Sequence, residues 1–350
     1  MAVRPSPRTS RPGEAGCNVR CAFRNARAPR ARLRRASEVS RRRAATVTQG
    51  KETRARPAPP SLGGWRDQGR LLEVLGRVVF VVDEGPRDAP PLLILHGFPT
   101  SSLDFRHVLA PLAARHRVIV HDHLGFGLSD KPLDYSYSLV EQAEVALAVW
   151  RALGVDHGHV LAHDYGTSVA TELVARRERG GLPVALDALT LANGSVHLEL
   201  AHLSLPQRLL RSRTLGPAFA SLGSRTVFKL QLRRIFGRPD AVADAELDQA
   251  WEAIAWNDGK RRLAPISSYL DERVRFWNRW IGALTRLDRP THVLWGRRDP
   301  IAVPAIAEAL AAEIPGAALT WLDELGHYPM LEDPRRWADA VLGFEPGRRS

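Results

Sequence analysis

From about Leu71 onward the chain alternates between short, continuous apolar runs and longer amphipathic stretches. The runs RVVFVV (77–82), PLLILH (91–96), HRVIVHD (116–122), HVLAH (159–163), LDALTLAN (186–193), THVLWG (291–296) and ALTWLD (318–323) read as buried strands. Continuous apolar runs predict strands covered on both faces, as in a mostly parallel sheet. Helical patterns lie between them. SLVEQAEVALAVWRAL (138–153) opens with Ser138 and Glu141 at capping-box spacing and stops before Gly154. A closing helix is predicted from Asp333-Pro334, an N-cap followed by proline at the first helical position. Alternation of this length predicts an α/β domain with right-handed crossovers.

The rhythm breaks between Asn193 and Thr291, where helical patterns such as AELDQAWEAIAW and SSYLDERVRFWNRWIGAL occur without a strand. Trp251, Trp256, Trp277 and Trp280 cluster there. An inserted helical lid over the end of the sheet explains both facts; a separate helical domain is the alternative. The expected organisation is a tail over 1–62, core over 63–193, lid over 194–285 and core again over 286–350.

Charge changes the picture only at the start. The chain has 350 residues and a formal charge of +12. Residues 1–60 hold 15 Arg and one Lys against three acids, a net +13, so the remainder is close to neutral at −1. A tail so rich in Arg, Ala, Pro and Ser cannot bury enough surface to offset its chain entropy and is expected to be disordered. It suits an anionic partner, a transit peptide or a dispensable extension; no nucleic-acid partner is expected for the folded domain. Both cysteines, Cys17 and Cys21, lie in the tail, so the folded part has no disulfide, Cys-ligated metal or Cys nucleophile. No apolar run reaches the roughly 18 residues that a membrane span needs, and a cytoplasmic location is the default expectation.

Candidate chemistry begins at VLAHDYGTSV (160–169). Asp164 follows a strand and has small residues, Ala162 and Gly166, two positions to either side. A nucleophile elbow requires that spacing, because its strained turn leaves no room for larger neighbours. Ser168 also has small residues at those distances, but would lie within the helix rather than at its tip. In LILHGFPTSS, Gly97 lets the backbone approach a substrate oxygen, so the amides of Phe98 and Tyr165 are the expected oxyanion hole. Asp299, in VLWGRRDPIAVP, follows a buried strand, and His327, in LDELGHYPMLEDP, follows the last one. The order Asp164, Asp299, His327 is that of nucleophile, acid and base in hydrolases with a strand-elbow nucleophile. His96, Tyr269 and Trp256 are expected to line the substrate pocket, and His163 and His197 to be bystanders near it.

On these residues the chain resembles α/β-hydrolases of the aspartate-nucleophile branch, which includes epoxide hydrolases and haloalkane dehalogenases. It resembles the mesoderm-specific transcript proteins more closely, through LHGFPTSS, LGFGLSDKP, HDYG, WNDG and GHYPMLEDP. The resemblance spans about residues 75–345 and excludes the tail. It implies the α/β-hydrolase fold, a small-molecule substrate, no cofactor and no metal, and an alkyl ester on Asp164 hydrolysed by a water that His327 activates. No subfamily pattern is complete. Epoxide hydrolases usually place two tyrosines in the lid, and only Tyr269 falls there; haloalkane dehalogenases usually have Trp after the nucleophile, where this chain has Tyr165. Epoxide opening is the favoured expectation, ahead of dehalogenation. A serine esterase acting through Ser168 and a non-catalytic binding module are the readings from other classes.

Overall fold

A computed structural model describes residues 60–212 and 214–344; the tail and both cysteines lie outside the described residues. Eight strands form one sheet in the order β1-β2-β4-β3-β5-β6-β7-β8. These are β1 (Arg70–Val74), β2 (Arg77–Glu84), β3 (Pro91–Leu95), β4 (Arg117–His121), β5 (His157–His163), β6 (Ala185–Ala192), β7 (Thr291–Gly296) and β8 (Ala318–Leu322). β1 and β2 run antiparallel to their neighbours; every pairing from β4 through β3 to β8 is parallel. All seven expected strands are present, and the inner ones are buried along almost their whole length. Helices cover both faces of the sheet, which divides the core into two clusters, the arrangement that fully apolar parallel strands require.

β1 was not expected. It is an edge strand with mixed exposure, so it lacks the continuous apolar signature. Its hairpin turn was the available signal: Leu75 and Gly76 have φ of 53° and 70°, the left-handed pair of a two-residue turn. The helix Leu139–Ala152 starts where expected, with Ser138 Oγ accepting from Val140 N at 3.2 Å. Glu141 does not complete a capping box there; its carboxylate accepts from the Ser136 hydroxyl instead. Asp333 caps the last helix, Pro334–Gly343, through Arg336 N.

Between β6 and β7 the described residues are helical, from Leu205 to Leu284. The stretch SSYLDERVRFWNRWIGAL divides at Phe276 into two helices, Tyr269–Arg275 and Trp277–Leu284. This insertion is pinned to the sheet where two sequence motifs meet. Lys131, from LGFGLSDKP, donates to the Gly127 carbonyl and sits 4.8 Å from the ring centre of Trp256, from WNDG. Arg262 Nε donates to the Lys131 carbonyl at 3.0 Å. Burial drives the Lys131 ammonium down to about 7, although Asp122 and Asp130 favour its charge.

Candidate active site

The elbow is formed as its sequence requires. Asp164 joins the end of β5 to the helix Tyr165–Glu178 with φ 44° and ψ −108°, a region costly for any residue with a Cβ. A Cβ on Gly166 would stand 2.3 Å from the Leu95 carbonyl oxygen, and one on Gly97 would stand 2.9 Å from His163 Nδ1. Both glycines therefore let the elbow press against the loop after β3. The result of that approach is a hydrogen bond from Phe98 N to Asp164 Oδ2 at 2.9 Å. Tyr165 is the first residue of its helix, so its amide has no partner within the helix.

Asp299 and His327 meet across the ends of β7 and β8. His327 Nδ1 lies 2.7 Å from Asp299 Oδ2. Asp299 Oδ1 accepts from Ile301 N at 2.8 Å and Ala302 N at 3.0 Å, and Oδ2 also accepts from Asn193 Nδ2 at 2.8 Å. Asn193 itself has φ 43° and accepts from Gly296 N. Sequence reasoning missed it. The available signal was an asparagine at a strand end, a residue that tolerates the left-handed region. The neutral ring of His163, held down to about 4 by burial, donates from Nε2 to the His327 carbonyl at 2.7 Å.

Burial opposes charge on His327, but the bonded Asp299 and the nearby carboxylates of Asp164 and Glu332 outweigh it and raise the imidazole to about 9. Asp104, raised to about 7 by burial, also acts on it. Because the folded value of His327 exceeds its unfolded value near 6.5, the pairing stabilises fully below about pH 6.5 and is lost as pH rises through about 9. The contribution is on the order of 3 kcal/mol. Urea unfolding at pH 6.5 and 9.5 should show a loss of that size in the native chain relative to a His327→Gln variant. Parallel pH curves for the two would exclude it.

Asp164 and His327 face one cavity of about 180 Å³, walled mostly by apolar side chains that include Phe98, Leu210, Phe219, Phe228, Trp251 and Tyr328. Such a volume suits a small organic molecule; a cavity of about 150 Å³ holds benzene. Three expected pocket residues are placed differently. His96 lies behind the loop, its Nε2 accepting from His123 N and its Nδ1 donating to the Gly97 carbonyl. Burial pushes that ring down to about 4, and its two nitrogens are committed to shaping the loop. Trp256 follows the end of the helix Asp244–Ala255 and packs beneath Lys131, so Trp251 is the tryptophan of the wall. Tyr269 is buried, outside the residues that line the cavity, against the rings of Phe98 and Tyr165. His197 is tied to Glu199 and Glu313.

Ser168 is fully buried, and its Oγ accepts from Arg273 Nε at 2.7 Å. Ser168 does not line the cavity that Asp164 and His327 face, so the geometry does not favour it as nucleophile. Arg273, also missed in the sequence, donates to the Asp164 carbonyl at 3.3 Å and stacks 4.6 Å from the Tyr269 ring centre. The DHLGFGLSD segment forms a turn around Asp122, which accepts from Ser102 N and Oγ and from Leu128 N. Among the described residues, no group of three His, Cys, Asp or Glu side chains has the arrangement to hold a metal ion, and no helix is long and apolar enough to cross a membrane.

Residues 90–334 match the family described as alpha/beta hydrolase fold. The LipZ protein of Mycobacterium tuberculosis, named as a hydrolase, is 44% identical over 285 residues, covering 81% of this chain and 98% of that protein. The mesoderm-specific transcript homolog protein of Homo sapiens is 36% identical, over 81% of this chain and 88% of that protein. A haloalkane dehalogenase of Mycobacterium marinum is 32% identical, over 68% and 77%. Among solved structures, the epoxide hydrolase CorEH superimposes with a TM-score of 0.63 at 19% identity, over 79% of this chain and 97% of that one.

Proposed function

The chain belongs to the α/β-hydrolase family, and on that premise we propose that it hydrolyses a small apolar substrate through an alkyl ester formed on Asp164. The observation that carries this reading is the bond from Phe98 N to Asp164 Oδ2 in the cavity that also contains His327. One carboxylate oxygen is held, which leaves Oδ1 to attack an sp³ carbon. The C–O bond forms as the bond to the leaving group breaks, and the electron pair departs with that group. Esterification removes the negative charge of Asp164, one of the charges that hold the proton on His327. The imidazole then gives that proton up to solvent more readily and, once neutral, takes one from water. The resulting hydroxide adds to the ester carbonyl, whose oxyanion lies at the amides of Phe98 and Tyr165. Collapse expels an alkoxide that takes its proton from His327, and the carboxylic acid left at Asp164 passes its proton to the neutral imidazole, which restores the carboxylate. The helical insertion acts as a lid that supplies the apolar walls and excludes water.

Epoxide opening is the favoured chemistry. Tyr269 packs against Phe98 and Tyr165 behind the cavity wall, and in this reading its ring turns toward the cavity when substrate binds and brings its hydroxyl to the departing oxygen. The dehalogenase relative supports a second reading, in which a halide departs without an acid. A Tyr269→Phe variant separates them. Epoxide hydrolysis should fall by about 10²–10⁴-fold, the usual worth of a positioned acid, while turnover of 1-haloalkanes should be nearly unchanged. Unaltered epoxide turnover would remove Tyr269 from the mechanism.

A further inference from the structure

The mouth of the cavity carries a second pattern that the chemistry does not use. Leu205, Leu222, Val227 and Leu230 are between 50% and 81% exposed. Val227 lines the cavity, and each of the others adjoins a lining residue: Ser204 and Pro206, Gly223, and Gln231 respectively. Buried apolar side chains need no further account, but several large ones exposed along the helices that wall one cavity leave apolar area in water and mark a contact surface.

Along the stretch that carries them, the chain itself supplies only one sign of charge. Residues 200–239 contain eight Lys and Arg and no Asp or Glu. Five of these cations pair with acids from elsewhere: Arg211 with Asp271, Arg225 with Glu252, Lys229 and Arg233 with Asp244, and Arg238 with Asp333. Arg208 and Arg234 are exposed and, among the described residues, have no ion pair. Both adjoin lining residues, Gln207 and Ile235. The rim therefore combines exposed Leu and Val with uncompensated Arg, and its exposed large apolar residues include no aromatic, the type that anchors protein interfaces.

We propose that the helices Leu205–Leu210, Gly216–Leu222 and Arg225–Arg233 dock on an anionic lipid surface, with the cavity mouth against it. Leucines and valine enter the headgroup region while arginines meet the lipid charge, the two signals that reversible interfacial binding requires. A substrate dissolved in the acyl layer then reaches the apolar cavity without crossing water. This docking does not depend on which bond the site cleaves, so its failure leaves the proposed chemistry untouched.

The full chain is co-sedimented with vesicles of phosphatidylcholine alone and with one-third phosphatidylglycerol, beside a Leu222→Asp/Leu230→Asp variant. Both positions point away from the core and neither lines the cavity. The native chain should partition onto the anionic vesicles, and the variant at least tenfold less, with its unfolding temperature kept. Equal binding by both would assign the attraction to the 15 Arg of residues 1–60 and overturn the proposal. No vesicle binding by the native chain would overturn it as well. So would self-association in solution that the same substitutions abolish, since a second copy would then cover the rim.

Discussion

A His327→Gln variant incubated with a reactive epoxide or 1-haloalkane should gain the mass of one alkyl group on the peptide that contains Asp164. Attack by Asp164 does not require the imidazole, whereas hydrolysis of the ester does, so loss of the base stalls the second half-reaction. Glutamine is close in size and leaves the surrounding bonds of Asp299 to Asn193, Ile301 and Ala302 in place. The adduct should persist for hours in the variant and be undetectable in the native chain. Intact-mass measurement followed by peptide mapping reads the result directly. An adduct on Ser168 would replace the aspartate mechanism with an esterase, and a folded variant without adduct from epoxides, haloalkanes or esters would favour a binding module.

Removing the proposed nucleophile should have the largest effect on turnover. Asp164→Ala takes away the oxygen proposed to attack and the partner of Phe98 N, so hydrolysis should fall at least about 10⁴-fold, as for loss of other covalent nucleophiles. Ser168→Ala makes the opposite demand. It deprives the buried Arg273 of a 2.7 Å acceptor, which should cost about 1–3 kcal/mol of stability but leave turnover within about tenfold. Steady-state kinetics and thermal unfolding of the two variants check both statements. An active Asp164→Ala enzyme would exclude the alkyl-ester route.

What could be read from the sequence follows from the range of the forces involved. Inner strands are buried on both faces, so their identity is written in consecutive residues, and β3, β5 and β7 are found within two residues of their expected limits. β1 is half exposed and its pattern is diluted. The elbow is legible because steric crowding acts over two residues, from Ala162 to Gly166. The supporting contacts are not: Asn193 and Asp299 are 106 residues apart, and Ser168 and Arg273 are 105 apart. Nothing local in the chain marks such pairs. Trp256 and Trp251 show the same limit, since both sit in one amphipathic pattern and only the turn after Ala255 decides which reaches the cavity.

The connection between β6 and β7 divides the labour of the molecule. Phe98, Asp164, Asp299 and His327 all stand on loops of the sheet, while Ser204, Leu210, Phe219, Phe228 and Trp251 come from the single stretch inserted between those two strands. Mutations in that stretch can reshape what enters without retuning what reacts, provided the Lys131 and Arg273 attachments survive. Descendants of one ancestor can then diverge in diet while inheriting the same reactive machinery.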